Sequence, residues 1–279
     1  MSKLRIVSRN AMARVATLVA STTSGALAAS NLLTDIKSQV WRATGATATL
    51  TATWASGETI ACAILAHCNL SPTATIRVQL YDATTLGNLL LDTNVLQPGA
   101  LACPAPAIVL EGWTAAAASS AYAYGGGSYA RIWFAATAGV KRMVVTITDT
   151  ASLQGYIEAA RLIAGPVWTS RYGASGASMT TMDAAEITYS GAGDQMAKAK
   201  PTRRRVPVDM SLLEADDRTA LVNILRNSRA IPILMSVFPG NADLELERDH
   251  MVYGRRADDS DVAIQFAGAY ATKIDVVEI

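Results

Sequence analysis

One stretch near the middle of the chain, Gly155-Tyr-Ile-Glu-Ala-Ala-Arg-Leu-Ile-Ala-Gly-Pro-Val-Trp168, constrains its fold most. Tyr156, Glu158 and Ala160 alternate with Ile157 and Ala159, the period of a strand, and run into Arg161-Leu-Ile-Ala-Gly165. Gly165-Pro166 then stops the strand, because proline offers no amide hydrogen to a ladder. A closing strand that ends in Gly-Pro hands a compact β domain over to a second unit. With 279 residues the chain has room for two domains. The reading is a β-sandwich over residues 1–165 and a smaller α+β unit over residues 166–279.

Hydrophobic residues make up 51% of the chain, ample for a core, yet aromatics only 6%. Small apolar residues suit closely packed sheets and subunit contacts better than a large ligand cavity. A net charge of +1 gives no electrostatic reason to expect a specific nucleic acid or an anionic membrane as partner. There is no apolar run long enough for a membrane-spanning helix, so no membrane insertion is expected. Cys62, Cys68 and Cys103 cannot all pair within one chain and read as reduced, buried thiols. At the amino terminus, Lys3, Arg5, Arg9 and Arg14 precede Val15 to Ala20, and Ala26-Leu-Ala28 resembles a signal-peptidase site. An ordered arm is the other reading of residues 1–29, since Thr17 and Ser21 to Gly25 break the apolar run.

Threonines at 47, 49, 51 and 53 alternate with apolar residues as in a half-exposed strand. Gly57-Glu58 reads as a turn into the buried strand Thr59 to Cys68, and Thr75 to Tyr81 alternates again. Leu86 to Ser128, with Pro98, Pro104, Pro106 and Gly125-Gly-Gly127, reads as long loops. Arg131 to Ala136 and Lys141 to Thr148 read as a strand pair about Gly139. In the second half, strands are expected at Ala184–Tyr189, Arg205–Met210, Ile231–Phe238, Leu244–Tyr253, Val262–Tyr270 and Lys273–Glu278. Ser211-Leu-Leu-Glu214 has the spacing of a capping box and predicts a helix over 211–229.

The catalytic inventory is thin. Strand parity places Cys62, Ile64, Ala66 and Cys68 on one face and His67 on the other, against a metal site. His250 beside Asp249 has no nucleophile-elbow serine, and Gly125 to Gly127 lacks the Lys-Ser/Thr of a phosphate loop. No catalytic, cofactor-binding or metal residue is assigned. On a continuous strand Asp243, Glu245, Glu247 and Asp249 would line one face. That stripe could serve calcium, but a straight strand spreads its carboxylates, and a solvated or lumen-facing stripe is the better reading. Arg203-Arg-Arg205 is its natural counter-charge, within the subunit or on a neighbour. Trp168 reads as an anchor at a domain or subunit seam.

Asn31-Leu-Leu-Thr-Asp35, Val40-Trp-Arg-Ala-Thr44, Ile64-Leu-Ala-His-Cys-Asn-Leu70 and Gly155 to Leu162 resemble the discoidin or galactose-binding-like domain found in tail proteins of long-tailed bacteriophages. Arg203-Arg-Arg205, the capped helix and the closing Lys273-Ile-Asp-Val-Val-Glu-Ile279 are similar to the assembly domains of distal tail or tail-tip proteins. The resemblance implies a mainly β molecule: a jelly-roll sandwich, then a tail-tube-like β-sandwich with one helix. It further implies a non-enzymatic virion component forming a homo-oligomeric ring in the tail-tip baseplate, between the tail tube and the other tail-tip proteins. A host-surface glycan is the alternative partner, the chain then being a carbohydrate-binding module. The expected assembly face is Arg203, Arg204, Arg205, Asp243, Glu245, Glu247, Asp249 and Trp168.

Overall fold

The computed structural model describes residues 3–71, 73–94, 100–101, 128–152, 154–198, 200, 202–266 and 269–279. The expected Gly125 to Gly127 loop, Pro98, Pro104, Pro106 and Cys103 lie outside the described residues. The chain is mainly β with antiparallel pairing. The first half contributes β1 (Arg5–Val7), β2 (Thr17–Ala20), β3 (Trp41–Arg42), β4 (Thr47–Cys68), β5 (Thr75–Tyr81), β6 (Leu89–Asp92), β7 (Ala100–Leu101), β8 (Ser128–Thr148) and β9 (Glu158–Ala164). The second contributes β10 (Trp168–Thr169), β11 (Gly176–Ala177), β12 (Thr180–Met182), β13 (Glu186–Tyr189), β14 (Gln195–Lys198) and β15 (Arg203–Leu213). Helix α1 (Ala215–Asn227), β16 (Ile233–Ser236), α2 (Leu244–Asp249), β17 (Met251–Arg256), β18 (Val262–Phe266) and β19 (Ala269–Glu278) complete it.

The first sheet has the order β3-β9-β4-β8-β5-β6, with β2 on β4 and β7 on β8. The turn expected at Gly57-Glu58 and the hairpin expected about Gly139 are both corrected. Residues 47–68 and 128–148 are two single long strands that pair with each other, Thr47 opposite Thr148 and Cys68 opposite Ser128. Their register shifts between Thr53 and Ile60. There a Cβ on Gly57 would sit 3.0 Å from the Cα of Gly139, whose φ is +75°. Two glycines in contact let both strands bend without breaking, as bulges do. The sheet folds over at this corner, and both halves of β4 face one core, Leu50 and Trp54 from one side, Leu65 and Cys68 from the other. Two buried indoles are satisfied from the amino-terminal segment: Trp54 Nε1 donates to the Ala11 carbonyl at 2.9 Å and Trp41 Nε1 to that of Thr22 at 3.2 Å. Every residue of β9 is buried, because this wall is covered on both faces.

What covers it is the second sheet, ordered β10-β1-β16-β17-β19-β15-β11, with β12 on β15 and β18 on β19. Its residues alternate with strand period. Ile6, Met235, Val252, Val208, Ile274 and Val276 pack under Leu221, Ile224 and Leu225 of α1. Val7, Leu234, Met251 and Tyr253 pack against Cys62, Ile64, Ala66 and Ile163 of the sandwich.

Three further expectations meet the structure here. Strand β1, from the start of the chain, lies in the second sheet between β10 and β16, so the amino-terminal residues are built into both halves. Gly165-Pro166 does fall between the sheets, but the Gly165 carbonyl accepts from Ala61 N at 2.9 Å, and a Cβ there would sit 2.2 Å from the Arg9 oxygen. The helix predicted over 211–229 begins at Ala215, with Glu214 as its N-cap and no side-chain cap bond. Ser211 stays in β15, because pairing with β19 runs on to Leu213 opposite Tyr270. Glu214 turns instead to the Arg171 guanidinium, 2.5 Å away, and to the Tyr172 hydroxyl at 3.1 Å.

Candidate interaction sites

The eight residues expected to form an assembly face do not make one solvent-facing surface, although Arg204 Nη1 donates to the Arg248 carbonyl at 2.8 Å and so meets the acidic segment. The strand expected over Leu244–Tyr253 is in fact α2 followed by β17, which removes the acidic stripe. The alternation Leu-Glu-Leu-Glu imitates a strand, but Asp243 Oδ1 accepts from Leu246 N at 3.1 Å and Asn241 Oδ1 from Asp243 N at 3.0 Å. Such N-terminal side-chain bonds favour a helix start. Glu245 lies within α2. Glu247 is buried and takes both Nε and Nη2 of Arg131, at 2.9 and 2.8 Å. Asp249 accepts from Arg248. Arg203 is exposed in β15, and Arg205 reaches Asp275 and Asp258 at 2.8 and 2.6 Å. Trp168 pairs with Ile6 and packs on the second core.

Glu247 therefore presents no charge to solvent and Arg204 little. Both belong to the seam between sandwich and second sheet, which sequence reasoning missed because its partners lie 74 to 149 residues apart. Arg204 Nη2 donates to Glu278 Oε1 at 2.9 Å, its backbone N to Oε2 at 3.1 Å, and its guanidinium stacks 5.2 Å from the Tyr129 ring centre. The Tyr129 hydroxyl donates to Glu278 at 3.2 Å and accepts from Tyr253 N at 3.1 Å. Further along, Arg161 Nε donates to the Tyr253 hydroxyl, which donates to Asp35 Oδ1 at 2.8 Å. Burial alone would raise the Glu278 carboxyl, but Arg204 and Lys37 outweigh it and hold it at about 2. Burial pushes Tyr253 up to about 12 and raises Tyr129 as well.

His67 also faces the seam, which corrects the parity expectation. Its φ of +53° inserts an extra residue between the pairs Ala66–Tyr129 and Cys68–Ser128. Cys68 is thereby turned into the sandwich core with Ala63 and Leu65, while Cys62, Ile64 and Ala66 face the second sheet. Neither His67 ring nitrogen has a hydrogen-bond partner, and Glu278 is 3.6 Å away, beyond bonding distance. Burial and the cations Lys37 and Arg204 push its pKa down to about 3, so the ring is neutral. Cys62, further along the same strand, is pushed up to about 12 by burial and is an inert thiol. Among the described residues no group of three His, Cys, Asp or Glu is arranged to hold a metal ion. His250 Nδ1 lies 3.0 Å from the Leu246 carbonyl, and its ring edge meets Phe238.

Two surfaces remain available to partners. One is the end of the sandwich, in the loops that follow Arg42, Cys68 and Thr148. Arg42 lies 4.3 Å over the Tyr156 ring and donates to Glu158 Oε2 at 2.5 Å. Asn69 fixes the loop, its amide donating to the Tyr156 carbonyl at 3.0 Å and its oxygen accepting from Glu158 N at 2.7 Å. The half-exposed Tyr156 ring and the Arg42 guanidinium, oriented by the buried Glu158 carboxylate, can bond hydroxyl-rich ligands. The other is an arm. Strands β13 and β14 form a sheet of their own, Glu186 opposite Lys198 and Tyr189 opposite Gln195. All eight of their residues are exposed, including Ile187 at 54%, Tyr189 at 68% and Met196 at 55%.

No protein-family model matches the chain, and no curated protein matches it. Solved structures do. The chitosan-binding module 1 derived from a chitosanase/glucanase of Paenibacillus sp. IK-5 is 15% identical over 57% of this chain and 99% of its own, with a TM-score of 0.37. CpGH89CBM32-5 from Clostridium perfringens, in complex with GalNAc-β-1,3-galactose, is 10% identical over 56% of this chain and 97% of its own, with a TM-score of 0.36. At these scores the likeness says nothing about what this chain binds.

Proposed function

We propose that the chain is a non-catalytic structural subunit that assembles with copies of itself through the β13–β14 arm. The arm is the observation that carries this reading. A two-stranded hairpin is marginal in water unless it packs on something, and this one exposes Ile187, Tyr189 and Met196. Apolar side chains held out on a rigid body are the mark of an interface. The non-catalytic part is supported by the two histidines, one buried and neutral, the other bonded to backbone. Placement in the virion, at the tail tip of a long-tailed bacteriophage among tail-tube and tip proteins, rests on the sequence resemblance. Sedimentation of the purified protein together with electron micrographs tests the reading. Closed rings are expected, and a monomer at every accessible concentration would overturn it.

A second reading is favoured by the Arg42–Tyr156–Glu158 cluster: a carbohydrate-binding module contacting a host-surface glycan. Binding of the monomer on a glycan array, abolished by Arg42→Ala, is its expected signature.

A further inference from the structure

The arm needs a receiver, and the same chain carries a surface that suits it. Strand β18 pairs on one side only, with β19, so its outer edge is free among the described residues. An exposed edge is a template for another strand. Between that strand and α1 runs a groove of about 440 Å³, lined by Arg218, Val222, Arg226, Val262, Ile264 and Tyr270. Val222, Val262, Ile264 and Tyr270 supply apolar lining and the two arginines positive charge, with Thr219 and Asn223 between them on the helix. Ile264 is 72% exposed. Arg218 stacks 4.9 Å from the Tyr270 ring centre, and Arg226 stands exposed on the helix.

We infer that this groove receives the β13–β14 arm of a second copy of the chain, an inference that rests on the assembly reading above. Three features match. Paired residues on one face of the arm are Ile187 with Ala197 and Tyr189 with Gln195, so Ile187, Tyr189 and Ala197 can meet the groove's apolar lining. The arm's strands are four residues long and β18 is five, so one can add to the other along most of its length. The arm's acids, Asp183, Glu186 and Asp194, outnumber its lysines, Lys198 and Lys200, and the groove offers two arginines. Arm and groove are different surfaces of one chain. The contact is therefore head to tail, which closes into a ring, a pair with exchanged arms being the smallest, or extends as a filament.

The test is a cysteine cross-link in the full chain, with Cys103→Ser removing one thiol while Cys62 and Cys68 stay buried. Tyr189→Cys and Ile264→Cys are combined in one chain, oxidised, and run without reductant. A ladder of dimer, trimer and higher species, absent when Ile264→Cys stands alone, is the expected result. Oligomers by sedimentation with no ladder overturn the groove while leaving the assembly reading intact. A monomer in the parent protein overturns both. Arg226→Glu, an exposed change that leaves the fold in place, is expected to weaken self-association about tenfold. Unchanged association in that variant counts against the groove.

Discussion

The seam and the arm invert each other. In the seam, charges are buried and every one named is partnered: Arg131 with Glu247, Arg204 with Glu278, Arg161 with Asp35. In the arm, apolar groups are exposed and no described residue covers them. Buried ion pairs are a costly way to join two sheets, since desolvation can cancel the attraction, so their merit is in fixing one geometry. Exposed apolar side chains are equally poor for an isolated molecule. Together the two regions describe a body whose halves share buried ion pairs and, under the assembly proposed above, whose surface a second copy completes. Rigid halves let an arm be aimed.

The largest effect is expected where the lock is broken on one side only. Glu247→Ala leaves the Arg131 guanidinium buried and unpaired, and about 3–5 kcal/mol of stability should be lost in urea unfolding. Arg131→Met together with Glu247→Leu removes both charges and should recover most of that loss. If the single change costs no more than a surface substitution, the seam is not a lock and the contrast with the arm fails.

Acid sharpens the same contrast. His67 sits at about 3 in the fold against an ordinary 6.5, so between those values the unfolded chain binds the extra proton. Stability should therefore be full above pH 6.5 and fall as pH drops toward 3, with a slope of up to about 1.4 kcal/mol per unit. Glu278, lowered to about 2, adds a loss of the same sign as pH falls below its ordinary 4.5. The groups facing His67 are Glu278, Arg204, Lys37 and Tyr129. His67→Gln should flatten the upper part of the profile. Circular dichroism melts across this range check it, and an unchanged slope would place the acid sensitivity elsewhere.

Much of the fold was legible locally, because local periodicity sets it. The nearly all-apolar run Thr59 to Cys68 is buried from Ile60 onward, and the closing strand Glu158–Ala164 ends at Gly165. What failed were places where a distant partner decides. Gly57 and Gly139 read as two turns, yet each is half of a corner that exists only when both strands bend together. Glu247 read as one of a solvated row, yet Arg131 reaches it from another sheet. The helix start at Asn241 and Asp243 carried a usable signal, two capping residues ahead of an acidic turn, that the Leu-Glu alternation masked. No local pattern announces the Arg42–Tyr156 stack or the seam, since both join residues far apart along the chain.

The joint at Gly165 tests whether the halves act as one body. A loose linker would accept alanine. Here the added Cβ would sit 2.2 Å from the Arg9 oxygen, so backbone must move, and Gly165→Ala should cost about 1–3 kcal/mol. Limited proteolysis of the parent protein should likewise spare this joint. Cutting at Gly165-Pro166 before any exposed loop would show two bodies rather than one.

The smallest effect on stability is expected in the arm, and that smallness is its diagnostic. Ile187→Ser and Tyr189→Ser together remove side chains that touch solvent, so the melting of dilute, monomeric protein should shift by no more than about 0.5 kcal/mol. The same double change strips the arm of its apolar face and should lower self-association sharply. Stability and association are thus expected to separate: seam variants unfold the chain before assembly is measured, while arm variants leave a folded chain that stays single. Apolar burial is little affected by salt, whereas the exposed pairs around Arg205 are screened. Raising ionic strength should accordingly weaken assembly less than the arm substitutions do. If salt dissolves the oligomer while Ile187→Ser and Tyr189→Ser leave it whole, exposed charges hold the copies together and the arm has no part in it.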